Sequence, residues 1–400
     1  MKQAVLTECK LPIKIWSTAK VDRGGSQHAS EPGWDAVYQQ FKNLANHPLA
    51  RKWICAMPDY HLGYGMPIGG VLATTGGVVP NAVGVDIGCG MIAVRTSLDA
   101  DALSDDVLQA LRLAIHERVP VGPKHHEKAR ELPLGLRMDV IHDESIRVVP
   151  GQLERVALQL GTLGGGNHFI ELQKDEGGRL WIMLHSGSRN VGKQVCDHYH
   201  KIAKRYMQDF ASAVPDLDLA FLPESVPEYK QYLAEMRWCM AFAEANRQAM
   251  LDAVYAAFKE RGLLFEVDLG VDTHHNFAAM EHHYGKNLLV HRKGAVRAEG
   301  LVTIPGSMGT ASYICEGLKP AESFNTCAHG AGRRMGRKEA NRTITHEQAV
   351  EQMKGVVYGV REGDYDEMPA AYKDVDQVIA AQDDLARPVH RLTPLTVVKG

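Results

Sequence analysis

The stretch Val83-Gly84-Val85-Asp86-Ile87-Gly88-Cys89-Gly90 sets a carboxylate and a thiol three residues apart between glycines. Glycine costs conformational entropy in regular elements, so such a run indicates a tight loop or a backbone that approaches a ligand closely. A lone cysteine in a loop is more often a small buried residue than a ligand. This stretch alone therefore does not indicate a ligand site, and similar stretches elsewhere in the chain have to be considered with it.

Similar glycine clusters recur along the sequence. The 400 residues include 38 glycines, which crowd into residues 63–90, 161–166, 187–192 and 306–336. Because these clusters extend over most of the chain, one site assembled from distant segments is more economical than two separable domains. We predict a single mixed α+β domain over residues 1–400, with its active site built from glycine-rich loops at the ends of a sheet.

Hydrophobic spacing and capping patterns predict the main helices and strands. Apolar residues at helical spacing and N-capping side chains indicate helices, whereas short apolar runs broken by glycines indicate strands and turns. The predicted helices lie at residues 34–47, 104–118 and 229–261 and after a capping box at 345–348, and the predicted strands lie within 53–96 and at 181–185.

Composition excludes several classes of protein. There are 45 Lys+Arg against 48 Asp+Glu, so any contact with nucleic acid must come from a local basic patch. The content of 45% hydrophobic residues excludes a disordered chain. We see no secretory signal and no membrane helix, and seven scattered cysteines argue against a disulfide framework. We therefore expect a cytoplasmic globular protein that has no membrane partner.

Four segments place histidine or cysteine beside glycines or polar turns, namely residues 86–89, 164–171, 184–189 and 272–276. Each histidine taken singly is more often structural than a metal ligand, but the four segments together favour a metal site. Carboxylate, imidazole and a single thiolate suit manganese, iron or zinc and argue against a structural Cys₄ zinc site. A thiolate can bridge two ions, and paired ions clamp an in-line phosphoryl displacement.

Two glycine turns, at residues 305–309 and 329–333, are of the kind whose backbone amides bind phosphate. The second turn opens a segment to residue 342 with five basic residues and one acidic residue. Most such runs are the solvent-exposed face of a helix. A solvated helix face and a site that binds a polyanion are therefore both open interpretations here. The later segment 361–384 carries eight carboxylates, which keeps the positive field local.

Residues 187–193, Gly-Ser-Arg-Asn-Val-Gly-Lys, match the spacing of a phosphate-binding P-loop as far as its lysine. Gln194 follows, however, where a serine or threonine would bind Mg²⁺. A glycine turn at the end of a strand is therefore the preferred interpretation.

Taken together, these segments resemble one family, the RtcB-type RNA ligases, also called tRNA-splicing ligases. The matching segments occur in family order and reach from near the start of the chain to its last residue. They are residues 57–63 (MPDYHLG), 83–90 (VGVDIGCG), 161–171 (GTLGGGNHFIE), 185–189 (HSGSR), 275–276 (HN), 292–295 (RKGA), 305–309 (PGSMG), 329–333 (HGAGR) and 398–400 (VKG).

The resemblance implies an RtcB-like fold and a ligase that uses GTP and two Mn²⁺ ions. Such enzymes join RNA ending in a 2′,3′-cyclic phosphate or 3′-phosphate to RNA beginning with a 5′-hydroxyl. His329 would be the catalytic nucleophile that forms a covalent histidine–GMP, and Arg189 would bind an RNA phosphate. The implied ligands are Asp86, Cys89 and His168 for one ion and Cys89, His185 and His275 for the other. The implied guanylate pocket comprises Asn167, His168, Phe169, Ile170, Glu171, His275, Asn276, Pro305, Gly306, Ser307, Met308, Ser312, His329, Gly330, Ala331, Gly332 and Lys399.

The chain departs from the family pattern at Tyr64, where a lysine is common, and at Ala328, where a serine usually precedes the nucleophile. These departures bear on RNA preference, so tRNA splicing and RNA repair both stay open. A dimetal phosphoesterase that acts on RNA ends without ligation is the alternative, since it would need the metal residues but not His329 or Lys399. An aromatic content of 7% without a stacking pattern disfavours a non-enzymatic RNA-binding protein. We expect a monomer, and the need for an accessory activator protein stays open.

Overall fold

The structure, a computed structural model, describes residues 3–17, 34–138, 145–209 and 214–400. Within these ranges the chain forms α-helices and β-strands in mixed order, so the prediction of an α+β fold is confirmed. Strands β1 to β17 span Gln3–Leu6, Ile13–Trp16, Ala50–His61, Ile68–Thr74, Gly77–Val78, Gly90–Asp99, Phe169–Lys174, Arg179–Ser186, Leu222–Pro223, Val267–His274, Asn276–His283, Lys286–Lys293, Ala295–Arg297, Glu299–Ile304, Ser312–Leu318, Thr326–Ala328 and Ala386–Lys399. Helices α1 to α8 span Trp34–Ala45, Asp105–Arg118, Leu153–Gln159, Arg189–Asp209, Pro227–Lys259, Arg337–Thr343, His346–Gln352 and Val375–Ala380.

The four predicted helices are α1, α2, α5 and α7. Ser104 caps α2 by accepting a hydrogen bond from the backbone N–H of Val107, and Thr345 with Gln348 caps α7 reciprocally. Helix α5 is 33 residues long and begins two residues before the predicted start. No helix among the described residues combines the length and the apolar character that a membrane span requires.

A seven-stranded sheet, in the order β10-β6-β8-β7-β17-β15-β14, brings distant segments to one edge. Gly90 at the start of β6 pairs with Ser186 on one side and with His274 on the other. Phe169 at the start of β7 pairs with His185 and with Lys399. Residues far apart in sequence therefore meet at this edge of the sheet.

A six-stranded sheet, in the order β1-β2-β3-β4-β12-β11, meets the first sheet at His275. Strand β10 ends at His274 and strand β11 begins at Asn276, so the chain passes from one sheet to the other at this single residue. Helix α5 contributes apolar side chains to the core beside each sheet. The site described below lies where the sheets meet, with α5 beneath it.

Two glycines, Gly88 in the loop before β6 and Gly90 at the start of β6, leave no room for a side chain. Gly88 has a φ of +71°. A Cβ added there would lie 2.8 Å from the Cα of Met240 in α5, and one added at Gly90 would lie 2.3 Å from the carbonyl oxygen of Thr273 in β10. The loop therefore packs directly on the helix, which only residues without a side chain allow.

We predict that replacing Gly88 by alanine destabilises the protein much more than replacing Gly262. Both residues have a φ of +71°, so alanine pays the same backbone strain of about 1–2 kcal/mol at either position. A Cβ at Gly262 meets no atom within 4 Å, whereas at Gly88 it meets the backbone of α5. Overpacking adds about 1–3 kcal/mol to the loss for Gly88→Ala. Urea unfolding of both variants measures this difference, and equal losses would contradict it.

Candidate active site

The five predicted metal ligands form one continuous cluster at the sheet edge. Cys89 Sγ lies 3.4 Å from His168 Nε2 and 3.1 Å from His185 Nε2. Asp86 Oδ2 lies 3.0 Å from His168 Nε2, and His275 Nε2 lies 3.2 Å from His185 Nε2. The ligand atoms of Cys89, His168 and His185 are within 4.8 Å of one another. Cys89 is therefore the central member, with a carboxylate at one end and His275 at the other.

Backbone carbonyls orient two of the histidines. The Nδ1 of His168 lies 2.8 Å from the carbonyl oxygen of Leu163, and the Nδ1 of His185 lies 3.1 Å from that of Asn167. A carbonyl oxygen only accepts hydrogen bonds, so each Nδ1 carries a proton and each Nε2 is turned towards the cluster. Both Nε2 atoms face Cys89. This arrangement is typical of metal-binding histidines.

The chemistry of the cluster fits a divalent metal centre. Burial lowers the pKa of His185 and His275 well below its usual range, so both imidazoles are neutral. Burial and the charge of Asp86 raise the pKa of the Cys89 thiol, which a bound cation would reverse. The buried Nδ1 of His275 has no hydrogen-bond partner among the described residues. The donor set of carboxylate, thiolate and imidazoles suits a cation such as Mn²⁺, Fe²⁺ or Zn²⁺.

His329 lies beside this cluster and is fixed by Asp59. The ring centroids of His275 and His329 are 4.8 Å apart. The Oδ2 of Asp59 accepts hydrogen bonds from His329 Nδ1 at 2.6 Å and from the backbone N–H groups of His329 and Gly330 at 2.9 and 3.2 Å. Asp59 is fully buried, and its Oδ1 has no partner within the described ranges. This carboxylate therefore holds the proton on Nδ1 and leaves a lone pair on His329 Nε2.

Most of the predicted nucleotide residues line one cleft together with the metal cluster and His329. Ile170 does not, because successive residues of β7 face opposite sides of the sheet, and its side chain packs in the core while Phe169 and Glu171 line the cleft. His168 turns towards Cys89 instead of the cleft. The predicted residues that line it are Asp86, Cys89, Asn167, Phe169, Glu171, His185, His275, Asn276, Pro305, Gly306, Ser307, Met308, Ser312, His329, Gly330, Ala331, Gly332 and Lys399.

Arg189 lies outside the lining of this cleft, at the start of α4. Its Nε lies 3.3 Å from the hydroxyl of Thr162, and the positive charge is close to Asp86. A Cβ added at Gly187 would lie 2.2 Å from a carboxylate oxygen of Asp86. The negative charge of Asp86 therefore lies against the first residue of the loop at 187–193, where it disfavours a bound phosphate.

Several residues of the cleft were not predicted from the sequence. Glu367 is buried and accepts hydrogen bonds from Lys399 Nζ at 3.3 Å and from Arg333 at 3.0 Å. Tyr372 and His61 also line the cleft. Asp59, His61 and Arg333 lie inside segments that match the family, so the sequence could have singled them out as site residues. Glu367 lies in the acidic segment 361–384, where net charge alone did not single it out.

Comparison with known proteins identifies the family. The family model described as tRNA-splicing ligase RtcB matches residues 40–400. The chain belongs to the RtcB family. It is 37% identical to the RNA-splicing ligase RtcB of Escherichia coli K12 over the full length of both chains. It is 34% identical to the tRNA-splicing ligase RtcB of Aeropyrum pernix, with 92% of each chain covered.

A further relative is the RNA-splicing ligase RtcB of Mycobacterium tuberculosis, which is 35% identical over 90% of this chain and all of its own length. The prediction that the chain is a ligase of this family is therefore confirmed, and with it the RtcB-like fold. That residues 1–400 form a single domain stays a prediction, as do the individual roles of the site residues.

We predict that Mn²⁺ stabilises the metal-free protein and that Cys89→Ala abolishes this effect. For one site, ligand at one hundred times its Kd adds about 2.7 kcal/mol to the free energy of unfolding. Cys315→Ala is the matched control, because Cys315 is also buried but belongs to a separate apolar cluster. Thermal unfolding with and without Mn²⁺ measures the effect. The same Mn²⁺-induced rise in Tm for both variants would contradict the metal site.

Glu171 gives a prediction for the pH dependence of stability. Burial raises the pKa of its carboxyl from 4.5 to about 8. The folded state therefore binds the proton more tightly, so this contribution to stability is complete below about pH 4.5 and is lost as pH rises to 8. Glutamine stays neutral at every pH. We therefore expect Glu171→Gln to remove a pH-dependent fall of about 2–5 kcal/mol in the free energy of unfolding over that interval. Denaturant unfolding at several pH values tests this, and identical pH profiles for both proteins would contradict it.

Proposed function

We propose that this RtcB-family ligase joins RNA 2′,3′-cyclic phosphate or 3′-phosphate ends to 5′-hydroxyl ends, using GTP and Mn²⁺ and a covalent histidine–GMP. The observation that carries the proposal is the position of His329. Its ring is 4.8 Å from that of His275, in the cleft that the metal cluster also lines. A nucleophile, a cation site and glycine turns for phosphate are thus available to one substrate.

The Asp59–His329 pair supports the first step. Asp59 keeps the proton on Nδ1, so Nε2 of His329 can attack the α-phosphorus of GTP. A nitrogen–phosphorus bond forms, the bond to the β-phosphate oxygen breaks, and pyrophosphate leaves. Two divalent ions, when bound, would neutralise charge on the transferring phosphoryl group. The residues that would hold them are Asp86, Cys89 and His168 for one and Cys89, His185 and His275 for the other.

The remaining steps pass the guanylyl group to RNA. An oxygen of the RNA 3′-phosphate attacks the phosphorus of histidine–GMP, which frees His329 and gives the 3′-phosphate a leaving group. The 5′-hydroxyl oxygen of the second RNA then attacks the 3′-phosphate, and GMP leaves. A 2′,3′-cyclic phosphate is first hydrolysed to the 3′-phosphate. Lys399 and the turns at 305–308 and 329–332 would hold the guanylate, and Arg189 would bind an RNA phosphate.

The dimetal phosphoesterase remains the second candidate, because the metal cluster alone would suffice for it. Two features favour ligation over hydrolysis. Asp59 is a buried carboxylate that accepts two hydrogen bonds from His329 and one from the N–H of Gly330, which hydrolysis at the metal cluster does not require. Lys399 lines the same cleft as the histidine, where it suits a nucleotide phosphate or base.

We predict that GTP labelled at the α-phosphate transfers its label to the wild-type protein in the presence of Mn²⁺. His329→Ala should carry no label, and the exposed His282→Ala should be labelled like the wild type. The bond should be acid-labile and alkali-stable, as expected of phosphorus bonded to nitrogen. Asp59→Asn should react at no more than about one hundredth of the wild-type rate, because the amide cannot replace the charge that holds His329. Denaturing gels measure the label that is bound covalently to each of the four proteins.

Two results would contradict the proposal. Label that persists in His329→Ala would assign the covalent step to another residue. An unlabelled wild-type protein that is nevertheless stabilised by Mn²⁺ would support the phosphoesterase.

A further inference from the structure

Two consecutive polar residues of helix α5, Asn246 and Arg247, lie fully buried beneath the metal cluster. Within the described part of the chain, neither residue forms a hydrogen bond to the side chain of a predicted metal ligand. Their polar atoms instead bind the backbone of the loops that carry those ligands. Such an arrangement, in the middle of a helix whose other buried residues are mainly apolar, calls for an explanation beyond packing.

Asn246 joins the loop before β7 to the end of β8. Its Oδ1 accepts hydrogen bonds from the N–H groups of Gly161 at 2.7 Å and Thr162 at 3.1 Å. Its Nδ2 lies 3.1 Å from the carbonyl of Thr162, 3.3 Å from the hydroxyl of Ser186 and 3.3 Å from the carbonyl of Gly187. One amide thus ties the segment leading to His168 to the segment that carries His185.

Arg247 joins the end of β8 to the loops on its other side. Its guanidinium donates to the carbonyl oxygens of Gly88 at 3.2 Å and Ser186 at 3.3 Å. It also donates to Asp272 Oδ1, at 3.0 Å from Nε and 2.6 Å from a terminal nitrogen. The three segments that it connects are those that carry Cys89, His185 and His275.

We propose that Asn246 and Arg247 are positioning residues of the metal centre, which hold its ligand loops in the binding arrangement before a cation arrives. The proposal rests on the metal site of the proposed function. The segments at residues 84–90, 161–166 and 187–192 are rich in glycine and have little intrinsic preference for one conformation. The two side chains supply fixed hydrogen bonds in place of that preference, and the cost of ordering the loops is met during folding rather than during metal binding.

The residue types suit this role. An asparagine amide accepts and donates on one planar group, so it can satisfy both N–H and C=O groups of a loop. The guanidinium of arginine donates in several fixed directions, which the single ammonium of lysine does not reproduce. Asp272 neutralises the buried charge from the opposite side, and His274 Nδ1 lies 3.4 Å from the same guanidinium.

The test compares Arg247→Lys with Arg292→Lys. Arg292 is a matched control because it is also fully buried, pairs with the carboxylate of Glu281 and donates to the carbonyl of Phe324, away from the cluster. Mn²⁺ affinity of the metal-free full-length proteins is measured from the electron paramagnetic resonance signal of the free aquo ion. Tm without metal is measured in parallel. Asn246→Ser provides a second variant, which removes the amide but keeps a polar side chain.

We expect Arg247→Lys and Asn246→Ser to bind Mn²⁺ about 10–100-fold more weakly than the wild type, as is usual when groups behind metal ligands are lost. Arg292→Lys should keep the wild-type affinity even where its Tm falls as much. Wild-type affinity in both Arg247→Lys and Asn246→Ser would overturn this inference while leaving the metal site intact. A wild-type protein that fails to bind Mn²⁺ would overturn the metal site itself.

Discussion

The hydrogen bonds from the Nδ1 atoms of His168 and His185 to backbone carbonyls are the constraint on which the rest of the site depends. They turn both Nε2 atoms towards Cys89, and burial lowers the pKa of His185 well below its usual range. The carbonyl of Leu163, which binds His168, also accepts a hydrogen bond from Ser186 next to His185. The orientation of each ring is therefore tied to the position of the neighbouring strand.

The meeting of two sheets at His275 adds the other half of the site. Because β10 and β11 belong to different sheets, His275 lies at the end of the cluster that faces His329. Asn276 strengthens this junction, since its amide donates to the carbonyl of Asp86 and accepts from the N–H of Gly294. Asn276 thus connects the loop that carries Asp86 with Gly294, which lines the cleft.

Local signals in the sequence predicted a large part of this arrangement. Capping residues such as Ser104 and Thr345 act within a few residues, so the helices that they begin could be placed from the sequence alone. The metal ligands and His329 were predicted from the family resemblance, and their convergence could not follow from spacing. The role of Asp59 depends on a contact across 270 residues, and that of Arg247 on a helix whose pattern showed only its apolar face. Ile170 was placed in the cleft because it lies in a recognised segment, although the alternation of a strand turns it into the core.

The most direct test of the account is to follow the guanylyl group after it has left GTP. Wild-type protein labelled at the guanylyl phosphate and freed of nucleotide is mixed with an RNA that ends in a 3′-phosphate, and then with an RNA that begins with a 5′-hydroxyl. The account predicts that the label moves from protein to the first RNA and is released as GMP when the joined RNA forms. Release of inorganic phosphate from the first RNA, with the label still on the protein, would contradict it.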